Sequence, residues 1–134
     1  MKYMIIGGVA GGASTAARLR RLDEQAEIIL FEKGEYISYA NCGLPYYIGG
    51  VIEERERLFV QTPESFKARF NIEVRIKSEV KAIEPENKQV VIKDWATGKT
   101  YRESFDKLVL SPGAEPVLPP WEGIRTEGIF TLRN

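Results

Sequence analysis

A run of glycines, Gly7-Gly8-Val9-Ala10-Gly11-Gly12, constrains the fold of this chain more than any other feature. Residues 1–6 before it form a short apolar run, which is typical of a buried parallel strand. Residues 11–22 after it are rich in Ala and Arg and predict a helix, and residues 26–31 predict a second buried strand. This spacing predicts a βαβ unit, and therefore a parallel sheet with a right-handed crossover.

The glycine run has the form of a dinucleotide-binding turn. Compared with G-x-G-x-x-G, its first and third glycines are Gly7 and Gly12, and Val9 replaces the middle one. Glycines allow backbone amides to approach a pyrophosphate at the N-terminus of the following helix. Glu32, twenty residues after Gly12, stands where a carboxylate would bind the ribose of FAD or NAD. The alternative is a tight turn that binds nothing, and the well-placed acid favours the nucleotide.

The segments after residue 60 predict further strands and a helix. Thr62 is expected to cap a helix over Pro63–Phe70, because Pro63 suits the first helical position. Later apolar patterns predict strands at residues 72–76, 79–83, 89–93, 100–104 and 106–110, followed by a turn at 111–114 and a final strand at 128–132. The region from 79 to 104 has the turns of an antiparallel meander. The fold class is therefore α/β.

Composition excludes several classes of protein and site. The 134 residues contain 19 Lys and Arg against 19 Asp and Glu, and this balance argues against a nucleic-acid partner. No apolar run is long enough to span a bilayer, and the N-terminal one is too short for a signal peptide, so we expect a cytoplasmic protein. A single cysteine excludes an internal disulfide, and the lack of histidine excludes His-based metal sites and triads.

The predicted first helix has two contrasting faces. Helical geometry places small and apolar side chains on one stripe and polar ones on the opposite stripe. The first stripe contains Gly12, Ala16 and Leu19, and the second contains Ser14, Arg18 and Arg21. The polar stripe is either a solvated surface or a site where guanidinium groups bind a phosphate-bearing ligand.

Cys42 lies among polar and turn residues, which distinguishes it from an ordinary buried cysteine. Asn41 before it is expected to cap a short helix that extends to Tyr47 or Ile48. A helix N-terminus favours the thiolate, which is the reactive form. Without a second cysteine, the open routes are a mixed disulfide with a small thiol or a sulfenic acid.

Four segments together resemble the coenzyme A-disulfide reductases, which are single-cysteine flavoproteins of the pyridine nucleotide-disulfide oxidoreductase family. These segments are residues 5–14, 31–33, 38–46 and 110–114, which read IIGGVAGGAS, FEK, SYANCGLPY and LSPGA. The resemblance covers essentially the whole chain, and Val9 is normal for this subgroup. It implies an FAD-type Rossmann fold, a parallel sheet with a βαβ unit, to which an antiparallel β-meander is added.

The resemblance also implies roles for individual residues. Cys42 would be the redox nucleophile. The FAD-binding residues would be Gly7, Gly8, Val9, Ala10, Gly11, Gly12, Glu32, Lys33, Val80, Ser111, Pro112 and Gly113. The residues that bind coenzyme A would be Ser14, Arg18, Arg21, Ser38 and Asn41. No metal site is implied.

The implied activity passes a hydride from NAD(P)H through FAD to a disulfide at Cys42. The small-molecule substrate would be coenzyme A disulfide. A related alternative is an enzyme that reduces a persulfide or polysulfide. Another alternative is an NADH oxidase or peroxidase that uses Cys42 sulfenic acid, and a further one is a non-catalytic nucleotide-binding module. Members of this group are several times longer and homodimeric. Residues 1–134 would thus be the N-terminal part of the FAD domain, with NAD(P)H bound elsewhere. Such a piece is expected to bind FAD weakly or not at all and to self-associate.

Overall fold

The computed structural model describes residues 1–133, which form a parallel sheet and an antiparallel sheet. The parallel sheet has the order β3-β2-β1-β7, with β1 at Lys2–Ile6, β2 at Glu27–Phe31, β3 at Glu73–Arg75 and β7 at Lys107–Leu110. The antiparallel meander consists of β4 (Ser78–Glu84), β5 (Gln89–Asp94) and β6 (Thr100–Ser104). The helices are α1 (Ala10–Leu22), α2 (Leu44–Ile48) and α3 (Pro63–Phe70). The predicted α/β class, the parallel sheet and the meander are confirmed.

The parallel sheet lies between the helices and the meander. Successive residues of a strand point to opposite faces, and both faces of β1 and β2 are buried. On the helix side, the core includes Ile5, Ile28, Leu30, Ala13, Ala16 and Phe66. On the meander side, it includes Met4, Ile29, Phe31, Val90 and Ile92. Because β2 and β7 both pair parallel to β1, the carboxyl ends of these three strands meet at one edge of the sheet.

Two local predictions have different outcomes. Thr62 caps α3 as expected: its Oγ1 accepts a hydrogen bond from the Ser65 amide at 3.2 Å, and Ser65 Oγ accepts one from the Thr62 amide at 2.9 Å. The strand predicted at residues 128–132 is absent, and this segment has no regular structure. Its apolar residues are exposed, Phe130 at 89%, because no neighbouring strand pairs with them in the part of the chain that the structure describes.

A network of charged side chains joins the two sheets. Glu103 on β6 accepts hydrogen bonds from Lys2 Nζ at 2.6 Å and from Arg75 Nη1 at 2.8 Å. Burial opposes the charge of Glu103, but the bonds from Lys2 and Arg75 outweigh it and hold the pKa of the carboxyl below its usual value. The meander is thus fixed to β1 and β3 by an ionised carboxylate.

Among residues 1–133, no helix combines the length and hydrophobicity needed to cross a membrane.

Arg20 connects the C-terminal ends of α1 and α3. Its Nε donates to the Phe70 carbonyl at 2.7 Å and its Nη2 to the Asn71 carbonyl at 3.0 Å. Its Nη1 donates to the carbonyls of Glu24 and Asp23, at 2.6 and 3.3 Å. Carbonyls at a helix end lack partners within the helix, so one guanidinium here satisfies several of them.

Replacement of Arg20 by alanine is therefore expected to lower the free energy of unfolding by about 1–3 kcal/mol, because the carbonyls lose charged donors. Arg18 lies on the same helix but is exposed, so the matched change Arg18→Ala should alter stability by less than about 0.5 kcal/mol. Urea denaturation of the two variants measures both values. Equal losses in the two variants would contradict the role given to Arg20.

Candidate functional site

A cleft opens where the carboxyl ends of β1, β2 and β7 meet. We call it the glycine cleft, and its volume is about 520 Å³. It is lined by Gly7, Gly8, Val9, Ala10, Gly11, Glu32, Lys33, Tyr39, Asn41, Ser111, Pro112, Gly113, Ala114, Glu115, Pro116, Leu118, Thr131 and Arg133. Segments that are far apart in sequence thus form one site, as expected at the carboxyl edge of a parallel sheet.

The glycine turn is shaped by close backbone contacts. Gly7 has a φ of +97°, and a Cβ there would lie 1.9 Å from the Ser111 carbonyl oxygen. At Gly12, a Cβ would lie 1.7 Å from the carbonyl oxygen of Gly7. The chain therefore needs glycine at both positions, at Gly7 for the turn and at Gly12 for the approach of α1 to β1. Gly12 does not line the cleft, so its contribution is this packing.

Helix α1 begins at Ala10, one residue earlier than predicted, with Val9 as its N-cap. No side chain caps this end of the helix, which opens beside the glycine cleft. Uncapped amides at a helix N-terminus are suited to bind phosphate oxygens. Together with the glycines that leave room beside Ser111, they fit the pyrophosphate of a dinucleotide.

Glu32, directly after β2, accepts hydrogen bonds from two backbone amides beside the cleft. Its Oε2 accepts a hydrogen bond from the Gly8 amide at 2.8 Å, and its Oε1 accepts one from the Gly34 amide at 2.8 Å. An ionised carboxylate has about four acceptor positions, so both oxygens can still accept hydrogen bonds from ribose hydroxyls. The geometry fits the predicted ribose contact and adds a second role, which is to hold the glycine turn in place.

The loop that follows β7 forms the opposite wall. The Ser111 amide donates to the Ile6 carbonyl at 2.8 Å, which places the predicted residues 111–113 against the glycine turn. Val80 differs from the other predicted cofactor residues, because it packs on the meander-side core and does not line the cleft. It lies at an irregularity in the pairing of β4 with β5, and its backbone contact with adenine stays a prediction.

Cys42 is exposed and lies one residue after Asn41, which lines the glycine cleft. The prediction that Asn41 caps a helix is wrong. Asn41 is instead the first residue of a 3₁₀ turn over Asn41–Gly43, and no side chain caps that turn. The helix α2 starts only at Leu44. The short 3₁₀ turn leaves Cys42 accessible at the surface.

The predicted coenzyme A residues lie on two segments. Ser14, Arg18 and Arg21 are all exposed on α1, as the helical stripe predicted. Ser38 is half-buried and has a φ of +47°, which is unusual for serine. Its amide donates to the Gly8 carbonyl at 2.8 Å and its carbonyl accepts from the Val60 amide at 2.8 Å. These bonds hold the backbone at Ser38 and tie the glycine turn to the segment that carries Cys42.

Sequence reasoning missed seven residues of the glycine cleft: Tyr39, Ala114, Glu115, Pro116, Leu118, Thr131 and Arg133. Arg133 Nε donates to the Ala114 carbonyl at 3.0 Å, and Tyr39 Oη donates to the Arg133 carbonyl at 3.4 Å. Tyr39 and Ala114 lie inside the quoted segments 38–46 and 110–114, next to predicted residues. The other five reach the cleft only through the path of the chain after β7, and no motif carries them. Among residues 1–133, no group of three or more metal-ligating side chains could hold a metal ion.

Comparison with known proteins places this geometry in context. The family model described as pyridine nucleotide-disulphide oxidoreductase matches residues 1–134. A coenzyme A disulfide reductase from Staphylococcus aureus is 45% identical over 133 residues, which are 99% of this chain and 30% of that protein. The chain thus spans about a third of the length of the curated relatives it matches.

Two solved structures have the same fold. The crystal structure of reduced CoADR-RHD from Bacillus anthracis is 59% identical, with a TM-score of 0.89 over 92% of this chain and 22% of that one. A NAD-dependent persulfide reductase from A. fulgidus is 39% identical, with a TM-score of 0.93 over 98% of this chain and 24% of that one.

Proposed function

The chain belongs to the pyridine nucleotide-disulphide oxidoreductase family, and we propose that residues 1–134 form the N-terminal part of the FAD-binding domain of a coenzyme A-disulfide reductase. The observation that carries this proposal is the glycine cleft. It brings the glycine turn, Glu32 and the loop 111–113 together beside Asn41, the neighbour of Cys42. Bound FAD would supply the two-electron chemistry between NAD(P)H and the disulfide.

Each wall of the glycine cleft has a distinct task in this proposal. The amides of the glycine turn and of α1 bind the pyrophosphate, and Glu32 accepts hydrogen bonds from the ribose. Lys33, Val80 and the loop 111–113 complete the predicted set. Arg133 also lines the cleft and adds a cation to it. NAD(P)H binds to a part of the enzyme outside this chain.

Cys42 acts as the nucleophile toward the substrate. Its thiolate attacks one sulfur of coenzyme A disulfide, so that a mixed disulfide forms with one coenzyme A and the other leaves as a thiol. A two-electron reduction then breaks the mixed disulfide, which releases the second coenzyme A and regenerates the thiolate. The exposure of Cys42 supports this role, because the attacking sulfur must reach a disulfide in solution.

A second candidate is a coenzyme A persulfide or polysulfide reductase, and it is favoured by the likeness to the persulfide reductase from A. fulgidus. An NADH oxidase or peroxidase with a Cys42 sulfenic acid is a third. To separate them, the full-length protein is reduced with NADH, and its turnover of coenzyme A disulfide, coenzyme A persulfide and oxygen is compared. Fastest turnover of the disulfide is expected. A colourless protein with an inert thiol would instead indicate a nucleotide-binding module.

Arg18 and Arg21 are expected to select the substrate, because forked guanidinium donors match phosphate oxygens. Both are exposed on α1 with Ser14. Replacement of both by alanine should raise the KM for coenzyme A disulfide about tenfold or more, with little change for a small uncharged disulfide. Steady-state kinetics with the two substrates measures this. An equal effect on both substrates would show that these arginines belong to a solvated surface and do not bind the substrate.

The isolated 134-residue chain is expected to fold, to bind FAD weakly or not at all, and to self-associate. Large apolar side chains support the last expectation, since Val117 is 90% and Trp121 70% exposed. Gel filtration and a flavin absorbance spectrum test it, and a strictly monomeric, yellow species would contradict it. A homodimeric, cytoplasmic full-length enzyme stays a prediction.

A further inference from the structure

An ion pair between Lys33 and Glu115 lies at the glycine cleft. Lys33 follows β2, whereas Glu115 belongs to the loop after β7, so the pair joins the two walls. Lys33 Nζ is 3.1 Å from Glu115 Oε1, and both residues line the cleft. Lys33, one of the two cations that line the cleft, therefore already has an acidic partner from the protein.

The charges of the cleft residues balance. Within the described part of the chain, four charged side chains line the cleft, namely Glu32, Lys33, Glu115 and Arg133, and their formal charges cancel. Glu32 and Arg133 hold the cleft backbone, through Gly8 and Ala114 respectively. Glu115 has no such structural bond, and its side-chain contact is the ion pair with Lys33.

The exposure of the pair determines the sign of its effect. The side chains of Lys33 and Glu115 are 58% and 82% exposed, so the pair is too solvated to fix Lys33 in one position. The position of Lys33 therefore does not depend on Glu115, and removal of Glu115 should leave it unchanged. The negative charge of Glu115 still opposes an anion in the cleft and still competes for Lys33.

We propose that Glu115 lowers the affinity of the glycine cleft for its dinucleotide by neutralising Lys33. The proposal rests on the proposed function, since FAD is taken as the occupant. A dinucleotide with two phosphate charges then binds through the helix N-terminus and the ribose contact, and each further negative charge on the ligand is disfavoured. This acidic counter-residue is separate from Glu32, which accepts hydrogen bonds from the ribose.

The test compares Glu115→Gln with the unchanged protein at full length. FAD is removed from both, and its rebinding is titrated by flavin fluorescence at low and at high salt. Glu115→Gln is expected to bind FAD about 2–5-fold more tightly at low salt. The gain should shrink at about 0.5 M salt, because screening weakens interactions between exposed charges. Glu122→Gln, an exposed change on the same segment outside the cleft, should alter neither value.

Unchanged or weaker FAD binding by Glu115→Gln would overturn the inference and leave the proposed function in place. A gain that persists at high salt, or that Glu122→Gln reproduces, would overturn it equally. If neither the unchanged protein nor Glu115→Gln takes up FAD, the proposed function itself fails and the inference fails with it.

Discussion

Replacement of Cys42 by serine in the full-length protein is expected to abolish the NAD(P)H-dependent reduction of coenzyme A disulfide while FAD stays bound. A serine hydroxyl cannot form the mixed disulfide, so turnover should fall by about a thousandfold or more. Cys42 is exposed on a 3₁₀ turn, and serine is close to it in size, so the fold should tolerate the change. Steady-state turnover measures the loss of activity, and the flavin spectrum measures retention of the cofactor.

The flavin spectrum also separates a chemical role of Cys42 from a structural one. Loss of FAD together with turnover would show that Cys42 supports the site rather than acting in it. Unchanged turnover would remove Cys42 from the mechanism. A thiol reagent that is shown to modify Cys42 in the full-length protein should reproduce the serine phenotype, because it blocks the same sulfur.

Replacement of Gly12 by alanine is expected to have the largest effect on stability. A Cβ at this position would lie 1.7 Å from the Gly7 carbonyl oxygen and 3.1 Å from Ile5 Cγ2. Backbone atoms cannot rotate away, so α1 must move off β1 and open the buried helix-side core. We expect a loss of about 3 kcal/mol or more in the free energy of unfolding, together with the loss of FAD binding.

Gly11→Ala is the matched control, because Gly11 lies one residue earlier on the same helix. A Cβ there would meet the Ser111 hydroxyl at 2.5 Å, and that side chain can rotate away. Alanine also favours a helix over glycine by about 1 kcal/mol, so the stability of Gly11→Ala should stay within about 1 kcal/mol of the unchanged protein. Urea denaturation decides between the two positions. Similar stability for both variants would contradict the packing role of Gly12.

Local chemistry explains which elements could be predicted. The capping of α3 by Thr62 depends on a few neighbouring residues, and it is present as expected. The predicted strand at 128–132 failed because a strand needs a partner, and apolar sequence alone does not provide one. The cap at Asn41 failed because the chain there forms a 3₁₀ turn before α2, and both conformations suit the same polar residues.

Sequence alone determined the βαβ unit, the need for glycine between β1 and α1, and the exposed stripe of Ser14, Arg18 and Arg21. These features follow from periodicity and steric freedom, which act between neighbours along the chain. Only the tertiary structure decided that Gly12 packs while Gly11 lines the cleft, and that Glu115 reaches Lys33 from 82 residues away. Such contacts depend on how separate strands meet at one edge of a sheet, and no local pattern records that meeting.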